Sequence, residues 1–200
     1  RWPTWTRLYL TVELSRLLGV TTIFLVCASV WVHSHKWLDS AFLEKAAYYK
    51  AVQDWAKKNT HNTSLFMVDP CINYGWRDFS HRSSIGTPRE WYMTGWLYIS
   101  KKERFLRGIE IGDTFGLNLR PILPKRGERR EINSGKVCEM ATELFYNPEM
   151  SSIRNIADRY NVNYFVFDKH KIDKVVGWPK INPIFENSRY WVIQKDQIPR

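Results

Sequence analysis

The stretch Leu65-Phe66-Met67-Val68-Asp69-Pro70 decides the fold. Four large apolar residues in a row, closed by Asp-Pro, have the length of a strand. Their lack of alternation predicts burial on both faces, as inside a sheet flanked by helices. In open α/β sheets ligands collect beyond the carboxyl ends of such strands. Here the strand is followed by Arg77-Asp78-Phe79-Ser80-His81-Arg82-Ser83, so Asp69, Arg77, His81 and Arg82 fall within fourteen residues. A second dense run, Val162-Asn163-Tyr164-Phe165-Val166-Phe167, also closes on an acid, Asp168. Several helical patterns separate the two runs, so they are expected side by side and parallel, with Asp69 and Asp168 at one edge. Asp69, Arg77, His81, Arg82 and Asp168 are therefore the candidate binding site. Two guanidiniums facing one crevice suit an anionic group such as a lipid phosphate, because arginine presents a bidentate fork. A salt-bridged loop that fixes the strand ends is the competing reading.

Upstream of the strand, residues 17–32 carry no charge, and apolar character extends back through Leu8, Leu10, Val12 and Leu14. A spanning helix needs about 20 mostly apolar residues, so this is a slightly short transmembrane candidate. Trp2, Trp5, Trp31 and Trp37 bracket it, where interfacial aromatics belong. A buried helix of a soluble domain is the alternative, since Glu13 and Arg16 interrupt the first half. There is no initiator Met and no small-residue cleavage site, so the run is read as the last span of a longer protein rather than a signal peptide. The expected organisation is a transmembrane helix over 1–37 and an α/β domain over 38–200. Charge does not orient it: Arg1, Arg7 and Arg16 precede the run and Lys36, Lys45 and Lys50 follow it.

Bulk composition agrees with a membrane-proximal protein. Of 200 residues 15% are aromatic, ten of them Trp, and the net charge of +10 calls for an anionic partner. Phospholipid headgroups or a phosphorylated lipid fit better than nucleic acid, because no helix-turn-helix, zinc-finger or RNA-binding signature occurs. Cys27, Cys71 and Cys138 lack CxxC spacing and cannot form a four-ligand zinc site, so no metal or cofactor is implied. Cys71 and Cys138 either pair, given an oxidising compartment, or serve as small buried apolar side chains.

Downstream, Phe42, Ala46, Tyr49, Val52 and Ala56 recur at helical spacing over 39–59. A short strand is expected near 83–85. Thr87-Pro88-Arg89-Glu90 is a capping box that opens a helix to about residue 100. Residues 108–134, with four Gly, two Pro and the basic run Lys125-Arg126-Gly127-Glu128-Arg129-Arg130, read as a solvated loop or an anion-binding one. Asn133-Ser134-Gly135-Lys136 fails as a phosphate loop, lacking the first Gly, a preceding strand and the final Ser or Thr. Val137, Met140, Ala141, Leu144 and Phe145 form one helical stripe. Met150, Ile153, Ile156, Ala157 and Tyr160 form another, with Asn147-Pro148 as its expected start. Residues 183–193 read as a hairpin. The sum is an α/β fold: an N-terminal transmembrane helix, then a small domain with a mostly parallel sheet flanked by helices and a C-terminal β-hairpin. No GxSxG elbow or HExxH motif occurs, and His33 and His35 would point to different faces of a helix.

Asp54-Trp55-Ala56-Lys57-Lys58-Asn59-Thr60, the strand ending Val68-Asp69-Pro70, and Arg77 to Ser83 together resemble the C-terminal soluble region of polytopic GT-C type glycosyltransferases. The closing patterns Tyr160 to Val166 and Pro183 to Val192 share that resemblance, which spans about residues 50–195. It implies an extracytoplasmic domain at the plasma membrane, after the last of many spans, in an enzyme taking sugar from a polyisoprenyl-phosphate donor to a glycan acceptor. The catalytic acid of that class lies in an early loop outside this chain, so the fragment alone is not catalytic. The other expectation is a non-enzymatic, membrane-anchored binding or assembly domain.

Overall fold

The computed structural model describes residues 4–37, 40–72, 75–97, 102–122 and 133–199. It divides into two units, Arg1–Ala46 and Ala47–Arg200. The first is dominated by helix α1 (Thr4–Trp37). Its stretch Ser15–Val32 has a mean hydropathy of 1.7 with none of it buried, so this helix is long and apolar enough to cross a membrane. Leu17, Phe24 and Trp31 all face outward. The polar side chains within the stretch are answered by its own backbone: Thr22 Oγ1 donates to the Leu18 carbonyl at 2.7 Å and Ser29 Oγ to that of Val26 at 2.8 Å. A helix without water around it requires such internal pairing.

Helix α2 (Ser40–Asn59) crosses into the second unit, where β1 (Leu65–Val68) follows it. Next come the single turn α3 (Arg77–Ser80), β2 (Ser83–Ser84), α4 (Pro88–Leu97) and α5 (Lys102–Phe115). The chain continues through α6 (Ser134–Phe145), α7 (Ser151–Tyr160), β3 (Tyr164–Asp168), the turn α8 (Lys169–Ile172), β4 (Phe185–Glu186) and β5 (Tyr190–Gln194). The sheet order is β2-β1-β3-β5-β4. As expected, β1 and β3 are parallel neighbours, with Met67 beside Phe165 and Val68 beside Val166. The domain is α/β, but the sheet is mixed rather than mostly parallel. β2 and β3 run parallel to β1, whereas the C-terminal hairpin adds β5 and β4 antiparallel. A hairpin returns through a tight turn and so has no crossover in which to reverse direction.

Burial on both sheet faces follows from the run of four. Phe66 and Val68 pack with Val166 and Val192 against Tyr49, Val52 and Ala56 of α2. Met67, Phe165, Phe167 and Ile193 point the other way, into the larger core of α4 to α7. The capping box at Thr87 is present: the Thr87 N–H donates to Glu90 Oε2 at 2.7 Å. Asn133 caps α6 by accepting from the Lys136 N–H at 3.0 Å.

Two further expectations are corrected. Residues 108–115 are not loop but the second half of α5, and the basic run 125–130 lies outside the described residues. The glycines that suggested a loop are where helices meet: a Cβ on Gly108 would lie 2.2 Å from the Trp91 carbonyl oxygen, so only glycine lets α4 and α5 approach there. Helix α7 starts at Ser151 rather than Asn147; Asn147 Oδ1 instead accepts from the Glu149 N–H, and Met150, with φ +53°, turns the chain into the helix.

Candidate functional site

Parallel pairing of β1 and β3 carries Asp69 and Asp168 to the same edge, each 1% exposed. Burying two carboxylates is costly unless each is paired and hydrogen-bonded, and both are. Asp69 accepts from the Cys71 N–H at 2.8 Å, from Lys171 Nζ at 2.7 Å and from the Tyr146 hydroxyl at 2.6 Å. Asp168 accepts from the His170 N–H at 3.1 Å and from two guanidinium nitrogens of Arg189 at 3.0 and 2.7 Å. The Tyr146 oxygen in turn accepts from the Asp168 N–H at 2.9 Å, so one phenol joins the two strand ends. Each carboxylate is thereby neutralised by one cation, and the pair acts as a clasp across the parallel strands.

Burial, and after it the charge and hydrogen bond of Asp69, push the Tyr146 phenol well above its usual value. Its unfolded counterpart titrates near 10. The stability that the neutral phenol contributes is therefore complete below about pH 10 and is lost as pH climbs through the higher folded value. The stability gap between the protein and Tyr146→Phe, measured by urea unfolding across alkaline pH, is expected to be constant up to about pH 10 and to narrow above it. A gap that narrowed already in the neutral range would show that the phenol is not shielded in this way.

The other candidates separate. Arg77, on α3, stays at the carboxyl edge, with one long hydrogen bond of 3.3 Å to the Ser84 carbonyl. His81 and Arg82 do not, because Arg82 immediately precedes β2 and so lies at the amino edge of the parallel strands. Its guanidinium is consumed by the end of α2: it donates to the Lys57 carbonyl at 2.6 Å, the Thr60 carbonyl at 2.8 Å and Thr60 Oγ1 at 3.1 Å. Basic side chains satisfy last-turn carbonyls in this manner. His81, in the left-handed region at φ +52°, has its ring nitrogen 3.4 Å from Lys57 Nζ. The expectation that Arg77 and Arg82 face one crevice is therefore not what the structure shows.

The crevice beside Arg77 is instead completed from helices. A cavity of about 630 Å³ at the carboxyl ends of β1 and β2 is lined by Arg77 of α3, Arg89 of α4 and Arg107 of α5, with Trp76 and Trp91 as apolar walls. Among the described residues Arg107 makes no hydrogen bond or ion pair. Two acids also line it, Asp78 and Glu90, of which Glu90 is held by the Thr87 N–H. Three arginines from three elements, set beside two indole walls in a cleft open to solvent, can hold an anionic group attached to an apolar or sugar moiety. Gly86, at φ +88°, makes the turn from β2 into α4 that forms one lip, and the indole N–H of Trp91 donates to the Ile85 carbonyl at 2.9 Å. Among the described residues no group of three His, Cys, Asp or Glu side chains is placed to hold a metal.

Cys71 and Cys138 form a disulfide, with Cα atoms 5.4 Å apart, that ties the loop after β1 to α6. Sequence reasoning missed Tyr146, Lys171, Arg189, Arg89 and Arg107. The first three carried no signal of their own, since a partner 77, 102 or 21 residues away is invisible to local spacing. Arg89 was visible only as a capping-box residue. No family model, no curated protein and no solved structure matches the chain.

Proposed function

We propose that this chain is the membrane-anchored terminal part of a glycosyltransferase that uses a lipid-linked sugar donor, and that its arginine-lined cavity holds the donor's phosphate. The observation that carries the reading is the convergence of Arg77, Arg89 and Arg107 on one cavity walled by Trp76 and Trp91. The helix Thr4–Trp37 supports it by supplying an anchor, and the Cys71–Cys138 disulfide supports an oxidising, extracytoplasmic side. Asp69 and Asp168 are occupied by Lys171 and Arg189 and hold the sheet edge; neither serves as a base. Catalysis would belong to parts of the enzyme outside this chain. The same engaged carboxylates favour a second reading, a non-enzymatic membrane-anchored domain that binds a phosphorylated lipid for assembly.

The test is binding by the full chain in nanodiscs, titrated with a polyprenyl phosphate and, separately, with the neutral polyprenol. The phosphate is expected to bind selectively, and Arg77→Ala with Arg107→Ala to weaken it by about 10-fold or more, as loss of charge-assisted hydrogen bonds does. Equal binding of the two lipids, or an unaffected double variant, would remove the cavity from the reading.

A further inference from the structure

Asn133-Ser134-Gly135-Lys136 is no phosphate loop, yet the helix start it forms is left open. Asn133 answers two of the first N–H groups: its side chain accepts from Lys136 at 3.0 Å and its carbonyl from Val137 at 3.2 Å. Among the described residues the N–H groups of Ser134 and Gly135 have no partner, and both residues are exposed. The first turn of a helix leaves such donors unpaired, and the helix dipole adds positive potential beside them. Here they border a cavity of about 180 Å³ that Tyr92 and Arg89 of α4 and the Cys71–Cys138 disulfide also line.

A helix start alone specifies no ligand; Tyr92 does. It is 4% exposed, and among the described residues its hydroxyl makes no hydrogen bond. The Tyr160 hydroxyl is sealed off without a partner, whereas that of Tyr92 still opens on the cavity. Burial raises the Tyr92 phenol above its usual value, with the Arg89 charge pulling the other way, so the hydroxyl remains a donor at neutral pH. A buried donor left without an acceptor is costly, and a ligand oxygen removes that cost. The rest of the lining is of one kind. Asp78 and Glu90 enter the arginine cavity, but among the described residues no acidic side chain lines this one.

We propose that this cavity is a separate site for one tetrahedral oxoanion, either free phosphate or the terminal phosphate of a small ester. The Ser134 and Gly135 N–H groups, the Tyr92 hydroxyl and the Arg89 guanidinium all donate, and charge-assisted bonds of this kind favour a compact anion over a neutral group. Size agrees: about 180 Å³, against 630 Å³ for the arginine cavity, suits a single small group. Arg89 lines both cavities, so the two sites are neighbours, but this one does not depend on the lipid-donor reading.

The experiment is calorimetric titration of the full chain in a neutral maltoside detergent, which brings no phosphate of its own. Inorganic phosphate and, separately, glycerol phosphate are added to a chain carrying Arg77→Ala and Arg107→Ala, so that the arginine cavity is disabled. Saturable binding at one site is expected, weakened about 10-fold by Tyr92→Phe and again by Ser134→Pro. Neither change should disturb folding: the first removes an oxygen that no protein group uses, and proline suits the first position of a helix, where its missing N–H has no helical partner. Unaltered urea midpoints without phosphate check this. Tighter binding of glycerol phosphate identifies an ester as the source, and tighter binding of phosphate the free ion. Binding that both variants leave unchanged would overturn the proposal. So would binding by the unaltered chain that vanishes with Arg77→Ala and Arg107→Ala, in which case the anion belongs to the arginine cavity and the lipid-donor reading stands. Binding that survives those two changes, in a chain that does not distinguish polyprenyl phosphate from polyprenol, supports this site while the lipid-donor reading falls.

Discussion

Arg189→Met is expected to cost about 4 kcal/mol of stability, because it strands a buried charge. Asp168 is 1% exposed, and two nitrogens of Arg189 converge on one of its oxygens at 3.0 and 2.7 Å. Without them the carboxylate keeps only the His170 N–H on its other oxygen, and it cannot reach water. The magnitude belongs to the exposed defect rather than to the ion pair, which predicts a specific non-additivity: Asp168→Asn together with Arg189→Met should recover most of the loss. The amide still accepts from the His170 N–H and leaves no charge behind. Urea unfolding of the two variants followed by tryptophan fluorescence decides it. A loss below about 1 kcal/mol for Arg189→Met would mean that Asp168 is solvated after all, as surface pairs are.

Opening the disulfide is expected to cost a similar amount. The bond links positions 67 residues apart, and closing a loop of that size in the unfolded chain corresponds to about 4 kcal/mol in the chain-entropy account. The Cys71→Ser, Cys138→Ser variant, or the protein under reductant, should therefore unfold at lower denaturant while the Tyr146 clasp still holds β1 to β3. The effect should be felt first at the cavity, since Ile72 and Trp76, which line it, follow Cys71 on the released loop. If stability were unaltered by reductant, the thiols would not be bonded in the folded protein.

Much of the frame was legible in residues 65–70 and 162–168. A four-residue apolar run with no alternation has few places to go except between two layers, and an Asp after it marks the end of the strand. Helical stripes such as Val137, Ala141 and Phe145 were readable for the same reason, as all three are buried on one face of α6. The capping box at Thr87 to Glu90 is local chemistry and appeared where it was read. Gly108 misled because a glycine's local meaning is flexibility, whereas its role here is set by the backbone of Trp91 in another helix. Arg82 misled similarly. Proximity to Asp69 in the chain suggested one crevice, but a strand's length of reversal separated them to opposite edges, and the end of α2 claimed the guanidinium.

By itself, then, the sequence determined most of the helices and strands, though not α5, that α1 is apolar enough for a bilayer, and that two acids share one sheet edge. Each of these follows from short-range periodicity, or from the rule that parallel strands joined by helices align their ends. Only the tertiary structure decided what those acids do and where the cavity lies. Tyr146, Lys171 and Arg189 reach the edge from α6, α8 and the hairpin, and Arg107 reaches the cavity from α5. The physical reason is that the pairing of a buried charge depends on distance in space, and spatial neighbours on different elements leave no mark in the spacing of either.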